Sequence, residues 1–354
     1  MFRWKCCDWL LLAGATVFLN ACASHNSREP ARRLTGESVV LAGLEPASLA
    51  FVPLAAKGIE VRSTYREGLP QTVHYQPGRD YLLGDSGQIR RTPESRIPDF
   101  RTNILYGKED FRHDQFPGFG NGRFFAYVDY FPREKWAPPA VRPELGWARL
   151  RHTRDKLFAA GTVRIVAFGD SITAGGDASE PGLIFWERWA AALRRKYPRA
   201  IIETVNGATG GDTTVQGLQR LQEKVLQRKP DLVLVGFGMN DHNREGFGVP
   251  LDQFEKDLRT MVDRIRAAGD ADVLLFSPFP PNPKWHYGSH NMEAYAAATE
   301  HVAHEKECAF ADVYHLWVGL AARKKPEDLL ANNINHPNDF GHWIYFQAFQ
   351  AVGL

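Results

Sequence analysis

From residue 161 onward, short apolar runs alternate with segments of helical period, and this alternation restricts the fold more than any other feature. The apolar runs predict buried strands at 163–168, 201–205, 232–236, 273–277 and 310–314. The predicted helices are 185–197, 218–228, 252–268, 291–305 and one that follows 336–339. Strands that alternate with helices form a parallel sheet covered on both faces. We therefore predict an α/β domain with a parallel five-stranded sheet at 161–354.

The preceding part of the chain has a different pattern, with short strand-like runs and no long helical period. Runs at 59–62, 72–75 and 124–130 are separated by residues typical of tight turns. We predict a smaller all-β sandwich that forms an accessory domain at 38–135. Residues 136–160 include Pro138-Pro139, which indicates a linker or a packed crossover between the two domains.

The N-terminus has the pattern of a targeting segment. A short basic region precedes an apolar stretch at 9–19, which is too short to span a membrane and has the length of a signal-peptide core. It ends in Leu-Asn-Ala-Cys at 19–22, which resembles the bacterial lipobox. We predict a signal peptide at 1–21, a tether at 22–37, and a cell-envelope lipoprotein attached to the membrane through Cys22. The alternative is a secreted protein with a chance cysteine.

Composition and cysteine usage exclude several classes of protein. A net charge of +2 without a basic stripe argues against a nucleic-acid partner. If the signal peptide is removed and Cys22 carries lipid, only Cys308 remains, so a disulfide framework is not expected. The histidines do not form a metal-binding set, because His301 and His304 have no carboxylate at the spacing of a zinc motif. We expect no metal and no organic cofactor.

Four loops of the predicted α/β domain contain polar residues of the kind that enzymes use. They are Gly169-Asp170-Ser171, the stretch 206–213, the stretch 236–241, and the stretch 333–339. The first three follow predicted strands. Because the carboxyl ends of parallel strands lie at one edge of a sheet, these three loops should converge there. The last loop can bring a histidine to the same edge.

These residue types permit acyl transfer. Ser171 is a poor nucleophile unless a base removes its proton, and His336 is the candidate base. Attack on an ester carbonyl creates an oxyanion that needs prepositioned hydrogen-bond donors. The backbone N–H groups of Ser171 and Gly211 and the side-chain amide of Asn240 suit that role. Each donor of this kind is worth roughly a hundred- to a thousandfold in rate.

The same segments resemble the motif blocks of the SGNH (GDSL-type) hydrolases. Gly-Asp-Ser-Ile-Thr stands at 169–173, Gly-Gly-Asp-Thr at 210–213, Gly-Met-Asn-Asp at 238–241 and His-Pro-Asn-Asp at 336–339. The resemblance covers the chain from about 163 onward. It implies a flavodoxin-like fold, a carboxylic ester hydrolase, and an acyl-Ser171 intermediate.

One position departs from the family pattern. The last block usually has an aspartate three residues before the histidine, where it orients the imidazole ring. This chain has Asn333 there, which can accept a hydrogen bond but carries no charge. Asn333 is thus one possible orienting residue. The alternatives are a backbone carbonyl, which would leave a Ser–His dyad, or another carboxylate such as Asp312.

A β-sandwich ahead of an SGNH domain resembles the two-domain carbohydrate esterases. This resemblance implies an enzyme that removes small acyl groups, acetyl in particular, from carbohydrate. A lysophospholipase or thioesterase is the alternative within enzymes. A third reading is a surface glycan-binding protein with weak catalysis, and the missing aspartate at position 333 motivates it.

Overall fold

The computed structural model describes residues 32–55, 58–134, 143–246 and 248–353. The predicted signal peptide at 1–21, the predicted lipidation site Cys22 and the dipeptide Pro138-Pro139 lie outside these residues. Within the described part of the chain, no helix combines the length and hydropathy that crossing a bilayer requires.

The first part of the described chain is an all-β region of two antiparallel sheets. Its strands are β1 (Leu34–Val39), β2 (Ala47–Ser48), β3 (Glu60–Arg62), β4 (His74–Tyr75), β5 (Tyr81–Leu83), β6 (Gln88–Arg91) and β7 (Ala126–Tyr130). The sheet orders are β1-β7-β3-β4 and β2-β6-β5. The folded part starts inside the predicted tether at 22–37, because Leu34 is buried and pairs with Tyr130 of β7.

The second part alternates strands and helices as predicted. Its elements are α1 (Arg151–Phe158), β8 (Thr162–Gly169), α2 (Phe185–Lys196), β9 (Ile201–Asn206), α3 (Thr214–Lys224), β10 (Leu232–Gly236), α4 (Leu251–Ala267), β11 (Asp272–Phe276), α5 (Met292–Glu305), β12 (Ala309–Ala311), α6 (Val313–Ala321), α7 (Pro326–Leu329) and α8 (Asp339–Ala351). The five strands are parallel, in the order β12-β11-β10-β8-β9. This is the flavodoxin-like order, and it confirms the predicted fold class.

Three helices were not expected, namely α1, α6 and the short α7. The predicted strand at 310–314 ends early, because Asp312 accepts a hydrogen bond from His315 N–H and caps α6. The apolar residues after it lie on a buried helical stripe and not on a strand. Helix α1 lies in the segment 136–160, which was predicted as linker or crossover. It is held to the sheet because Thr153 N–H donates to Asp272 at 2.7 Å.

The sheet edge that carries the site is closely packed by glycines. Gly169 ends β8 and pairs with Gly236 at the end of β10. A Cβ on Gly169 would collide with the carbonyl oxygen of Gly236, and a Cβ on Gly236 would collide with the ring of Phe276. Strand β8 lies between β10 and β9 in the sheet, and the strand order reverses at this position. The chain leaves the sheet here, at the end of β8. Open α/β sheets bind their ligands at such a point.

The all-β region and the α/β part share one hydrophobic core. Buried residues of β1 and β7, such as Val39 and Val128, belong to the same cluster as Val166 of β8 and Leu234 of β10. The described residues from 32 onward belong to one compact unit. The all-β region is therefore packed as part of the molecule that carries the site.

Candidate active site

The structure brings Ser171 and His336 together from distant parts of the sequence. Ser171 lies in the turn after β8, and His336 lies in the loop between α7 and α8. His336 Nε2 is 2.9 Å from Ser171 Oγ. Both side chains are partly buried, and both line the same cavity. This is the hydrogen bond through which a histidine can remove the proton of a serine hydroxyl.

The other ring nitrogen of His336 faces a carboxylate. His336 Nδ1 is 3.1 Å from Asp177 Oδ2. An ionised carboxylate only accepts hydrogen bonds, so Nδ1 carries the hydrogen in this contact. The Nε2 lone pair of the neutral ring then points at Ser171, which is the tautomer a general base needs. Asp177 lies in the loop after β8, and 45% of its side-chain surface is exposed.

Asn333 does not orient His336. It is buried, and both its backbone oxygen and its side-chain oxygen accept hydrogen bonds from Asn282 Nδ2, at 2.9 and 3.2 Å. Its backbone is left-handed, with φ 61°. Asp312 caps α6 and contacts the His315 ring at 2.7 Å. The alternative in which a backbone carbonyl orients a Ser–His dyad does not apply either, because His336 Nδ1 contacts the carboxylate of Asp177.

The loop that carries Asp177 is packed directly under the histidine ring. Gly176 N–H donates to the backbone oxygen of Ser171 at 2.8 Å. A Cβ on Gly176 would lie 2.8 Å from that oxygen and 3.1 Å from His336 Nδ1. His342 Nε2 lies 3.1 Å from the oxygen of Gly176, and burial lowers the pKa of His342 to about 3, so this ring is neutral. These contacts place Asp177 beside the base.

Three hydrogen-bond donors lie around the serine. Gly211 has φ 81°, and a Cβ on Gly210 would lie 3.7 Å from Ser171 Cβ. Within the described residues, the N–H groups of Ser171 and Gly211 have no acceptor. Asn240 Nδ2 donates one hydrogen to the backbone oxygen of Asp212 at 2.9 Å. An amide has two such hydrogens, so the second remains for a ligand.

Two buried aspartates hold these loops in place. Asp170 accepts a hydrogen bond from Ile172 N–H at 2.9 Å, and burial raises its pKa to about 7. Asp241 accepts hydrogen bonds from Thr214 N–H at 2.8 Å and from Gly238 N–H at 3.0 Å. Burial raises the pKa of Asp241 to about 6. Asp241 thus joins the start of α3 to the loop that presents Asn240.

The serine opens into a cavity of about 700 Å³. Amide side chains supply much of its polar lining, namely Gln216, Asn240, Asn243, Asn332 and Asn335. A second wall comes from the all-β region and from the loop after β11, with His113, Asp114, Phe119, Trp285 and Tyr287. None of the described lining residues is a lysine or an arginine. This second wall was not among the sequence-based predictions.

One acidic group among the described residues has the spacing to hold a cation. It consists of Glu60, Glu67 and Asp129 in the all-β region. Asp129 already pairs with Arg62 at 2.6 Å and accepts a hydrogen bond from Gly36 N–H at 2.7 Å. The guanidinium therefore supplies the positive charge there, and none of these residues lines the cavity.

Comparison with known families agrees with this geometry. The model of the GDSL-like Lipase/Acylhydrolase family matches residues 167–344, which is half of the chain and includes Ser171, Gly211, Asn240 and His336. The chain belongs to this family.

Several relatives of this GDSL family member have been named as esterases. The Esterase TesA of Pseudomonas aeruginosa is 32% identical over 163 residues, which cover 46% of this chain and 74% of that protein. The thioesterase 1/protease 1/lysophospholipase L1 of Escherichia coli K12 is 31% identical and covers 51% of this chain and 78% of that protein. The acetylxylan esterase of Geobacillus stearothermophilus is 25% identical and covers 52% and 91%. A solved acetylxylan esterase structure from that organism has a TM-score of 0.48, at 25% identity, over 54% of this chain and 94% of that one.

The family and the site together define the class of reaction. The protein is a carboxylic ester hydrolase of the GDSL type. A serine hydroxyl, a histidine in the basic tautomer, a carboxylate and unoccupied donors are the groups that acyl transfer needs.

Proposed function

We propose that this esterase removes small acyl groups, acetyl foremost, from carbohydrate through an acyl-Ser171 intermediate. The observation that carries the proposal is the lining of the cavity beside Ser171, to which five residues with amide side chains contribute. Amides both donate and accept hydrogen bonds, as sugar hydroxyls require. The volume of about 700 Å³ far exceeds an acetyl group, so most of the space is left for the alcohol part of the ester.

Acylation follows from the contacts at His336. Ser171 Oγ attacks the ester carbonyl while His336 Nε2, at 2.9 Å, takes its proton. The imidazolium that forms is stabilised by the carboxylate of Asp177 at Nδ1. The developing oxyanion lies among the N–H groups of Ser171 and Gly211 and the free hydrogen of the Asn240 amide. When the tetrahedral intermediate collapses, the bond between the acyl carbon and the sugar oxygen breaks. His336 gives its proton to that oxygen, so the sugar leaves as an alcohol and the acyl group stays on Ser171.

Deacylation uses the same groups in the reverse order. His336 Nε2 removes a proton from a water molecule, which attacks the acyl carbon held on Ser171. The same donors stabilise the second oxyanion. His336 then protonates Ser171 Oγ, the ester bond to the serine breaks, and the carboxylic acid leaves.

A lipid ester hydrolase is the second candidate. The relative from Escherichia coli is named a thioesterase and lysophospholipase, and the aromatic and apolar residues Phe119, Trp285 and Ile334 line one side of the cavity. The relative from Geobacillus stearothermophilus, an acetylxylan esterase, supports the carbohydrate proposal instead. The third alternative, a weakly catalytic glycan-binding protein, rested on the missing aspartate at position 333. Asp177 supplies a carboxylate instead, so this reason no longer applies.

The test compares ester classes on the same preparation. The full chain, purified in mild detergent, is assayed with acetylated xylo-oligosaccharides, lysophosphatidylcholine and palmitoyl thioester. We expect acetate release to dominate and Ser171→Ala to abolish it. Ser86→Ala, which changes an exposed turn serine, is the matched control and should retain activity. Faster cleavage of either lipid substrate would refute the carbohydrate proposal.

The location of the protein is a separate proposal. We propose that Cys22 carries a lipid that anchors the enzyme to the cell envelope, on the strength of the Leu-Asn-Ala-Cys pattern at 19–22. In bacteria fed a labelled fatty acid, the wild-type protein should become labelled, and the Cys22→Ser variant should not. Labelling of both would refute the assignment of Cys22.

A further inference from the structure

The second wall of the cavity is built by a segment of the all-β region that docks onto the loop after β11. Phe111 N–H donates to the backbone oxygen of Lys284 at 2.9 Å, and His286 N–H donates to the backbone oxygen of Phe111 at 3.0 Å. The Phe111 side chain is buried in a cluster with Trp285 and Ile334. The residues that follow Phe111 are therefore held in a fixed position facing the site.

His113 in this segment has a defined protonation state. Trp285 Nε1 lies 3.0 Å from His113 Nδ1, and because an indole N–H can only donate, Nδ1 is the acceptor. Burial lowers the pKa of His113, so the ring is neutral near pH 7. A neutral imidazole with a bare Nδ1 carries its hydrogen on Nε2. His113 thus brings a hydrogen-bond donor to the wall.

Aromatic rings fix the orientation of this histidine. The ring centroids of Phe119, Trp285 and Tyr287 lie 5.4, 5.9 and 5.8 Å from that of His113. Two of them, Phe119 and Tyr287, meet it nearly edge to face, at interplanar angles of 78° and 79°. All four rings line the cavity. A hydrogen-bond donor that lies among aromatic rings is suited to a sugar ring, because a sugar ring has apolar C–H faces and hydroxyl groups at its edges.

The charge of the lining restricts which sugars fit. Asp114 contributes a carboxylate, and no lysine or arginine is present among the described lining residues. Asp114 Oδ1 lies 3.5 Å from the Tyr287 hydroxyl, so the carboxylate belongs to the same wall. Arg112 lies over the Tyr287 ring at 5.4 Å but is paired with Glu245, so the described lining offers an anionic sugar a carboxylate and no unpaired cation.

We infer that this wall is a subsite for a neutral sugar unit next to the acylated one, with His113 donating to a hydroxyl and Phe119 and Tyr287 flanking the ring. The inference rests on the proposed function and adds to it a substrate class, namely neutral oligosaccharides. It also gives the all-β region a direct part in substrate selection.

The test separates recognition of the sugar from the chemistry at Ser171. The measured quantity is kcat/KM for acetylated xylo-oligosaccharides divided by kcat/KM for p-nitrophenyl acetate. His113→Phe keeps a ring but removes the donor, so we expect this ratio to fall about tenfold, mainly through KM on the oligosaccharide. His113→Gln, which retains both a donor and an acceptor, should recover part of the loss. His301→Phe, at an exposed histidine on α5, should leave the ratio as in the wild type.

Several outcomes would overturn the subsite. If the ratio of the two kcat/KM values is the same in His113→Phe as in the wild type, even where both values fall, the wall does not recognise sugar. If His113→Phe does not fold, Phe119→Leu gives the same test through loss of the ring face. A wild-type enzyme that cleaves p-nitrophenyl acetate and lipid esters but no acetylated oligosaccharide would refute the proposed function itself.

The preference of this wall for neutral sugars is tested with neutral and anionic substrates. The wild type should deacetylate neutral xylo-oligosaccharides at least tenfold faster than acetylated oligogalacturonates. Asp114→Lys should narrow that difference, because it reverses the charge of the wall. Equal rates on the two substrates with the wild type would overturn the assignment to neutral sugars.

Discussion

Removal of the Asp177 carboxylate tests the central feature of the site. The carboxylate contacts His336 Nδ1 at 3.1 Å, and 45% of its side-chain surface is exposed. Two unit charges at that distance attract by about 1 kcal/mol at the dielectric constant of water and by about 5 kcal/mol at an effective value near 20. Because the Asp177 side chain is partly exposed, the effective dielectric constant at this contact is closer to that of water. About 2 kcal/mol of imidazolium stabilisation, or roughly thirtyfold in kcat, should therefore be lost in Asp177→Ala.

Replacing the carboxylate by an amide tests the tautomer of His336 separately. Asp177→Asn should be slower than Asp177→Ala, because an amide that donates to Nδ1 stabilises the wrong tautomer. Asp155→Ala, at an exposed carboxylate on α1, is the control and should match the wild type.

Initial rates of p-nitrophenyl acetate hydrolysis measure the effect of both substitutions. The double variant Asp177→Ala with Asn333→Asp separates the structural argument from the family pattern. Asn333 faces Asn282 and is buried, so an aspartate there should not restore the rate. Activity within twofold of the wild type in Asp177→Ala would refute the role of Asp177. Restoration by Asn333→Asp would refute the placement of the loop.

Three further changes test other polar groups. Asn240→Ala should lower kcat by a hundred- to a thousandfold with little change in KM, in steady-state kinetics, because its second amide hydrogen serves only the oxyanion. Asp170 has a folded pKa of about 7 against 3.8 unfolded, so the folded state holds an extra proton between these values and stability falls as pH rises through them. Urea unfolding should show Asp170→Asn gaining up to about 4 kcal/mol on the wild type between pH 4 and pH 8, and a constant difference would contradict this. Lys324→Met leaves Glu37 buried without its cation and should cost about 3–5 kcal/mol by urea unfolding, with partial recovery on adding Glu37→Gln.

The elements that could be predicted from sequence are those that local patterns determine. A strand buried on both faces shows as an apolar run, so four of the five parallel strands lie within about one residue of the predicted positions. The fifth was predicted too long, since the buried stripe of α6 continues the apolar run after Ala311. The position of Ser171 was predictable as well, because loops that follow parallel strands share one edge of the sheet. His336 reaches the same edge from the loop between two helices, as the last motif block indicated.

The orienting carboxylate depends on how one loop folds back. Asp177 and His336 are 159 residues apart, and their contact exists because Gly176 lets the loop pass under the ring. A usable signal was present, since Asp177 directly follows two glycines after the nucleophile block, and the absence of an aspartate at position 333 calls for another carboxylate nearby. The wall that carries His113 left no local signal, because it arises only when the all-β region packs against the loop after β11.

The packing between the two regions also holds the base. Lys324, just before α7, donates to Glu37 and to the backbone oxygen of Ser38 on β1, each at 2.8 Å. Ser38 Oγ donates to the backbone oxygen of Asp328 at 2.6 Å and accepts from Asn338 Nδ2 at 2.9 Å. Asp328 precedes His336 in the chain and Asn338 follows it, so β1 secures both ends of the segment that presents the base. The ion pair between Glu37 and Lys324 that joins the two regions is fully buried, so a substitution that breaks it costs several kcal/mol. The region that supplies the second wall of the cavity is thus also a requirement for placing the imidazole beside Ser171.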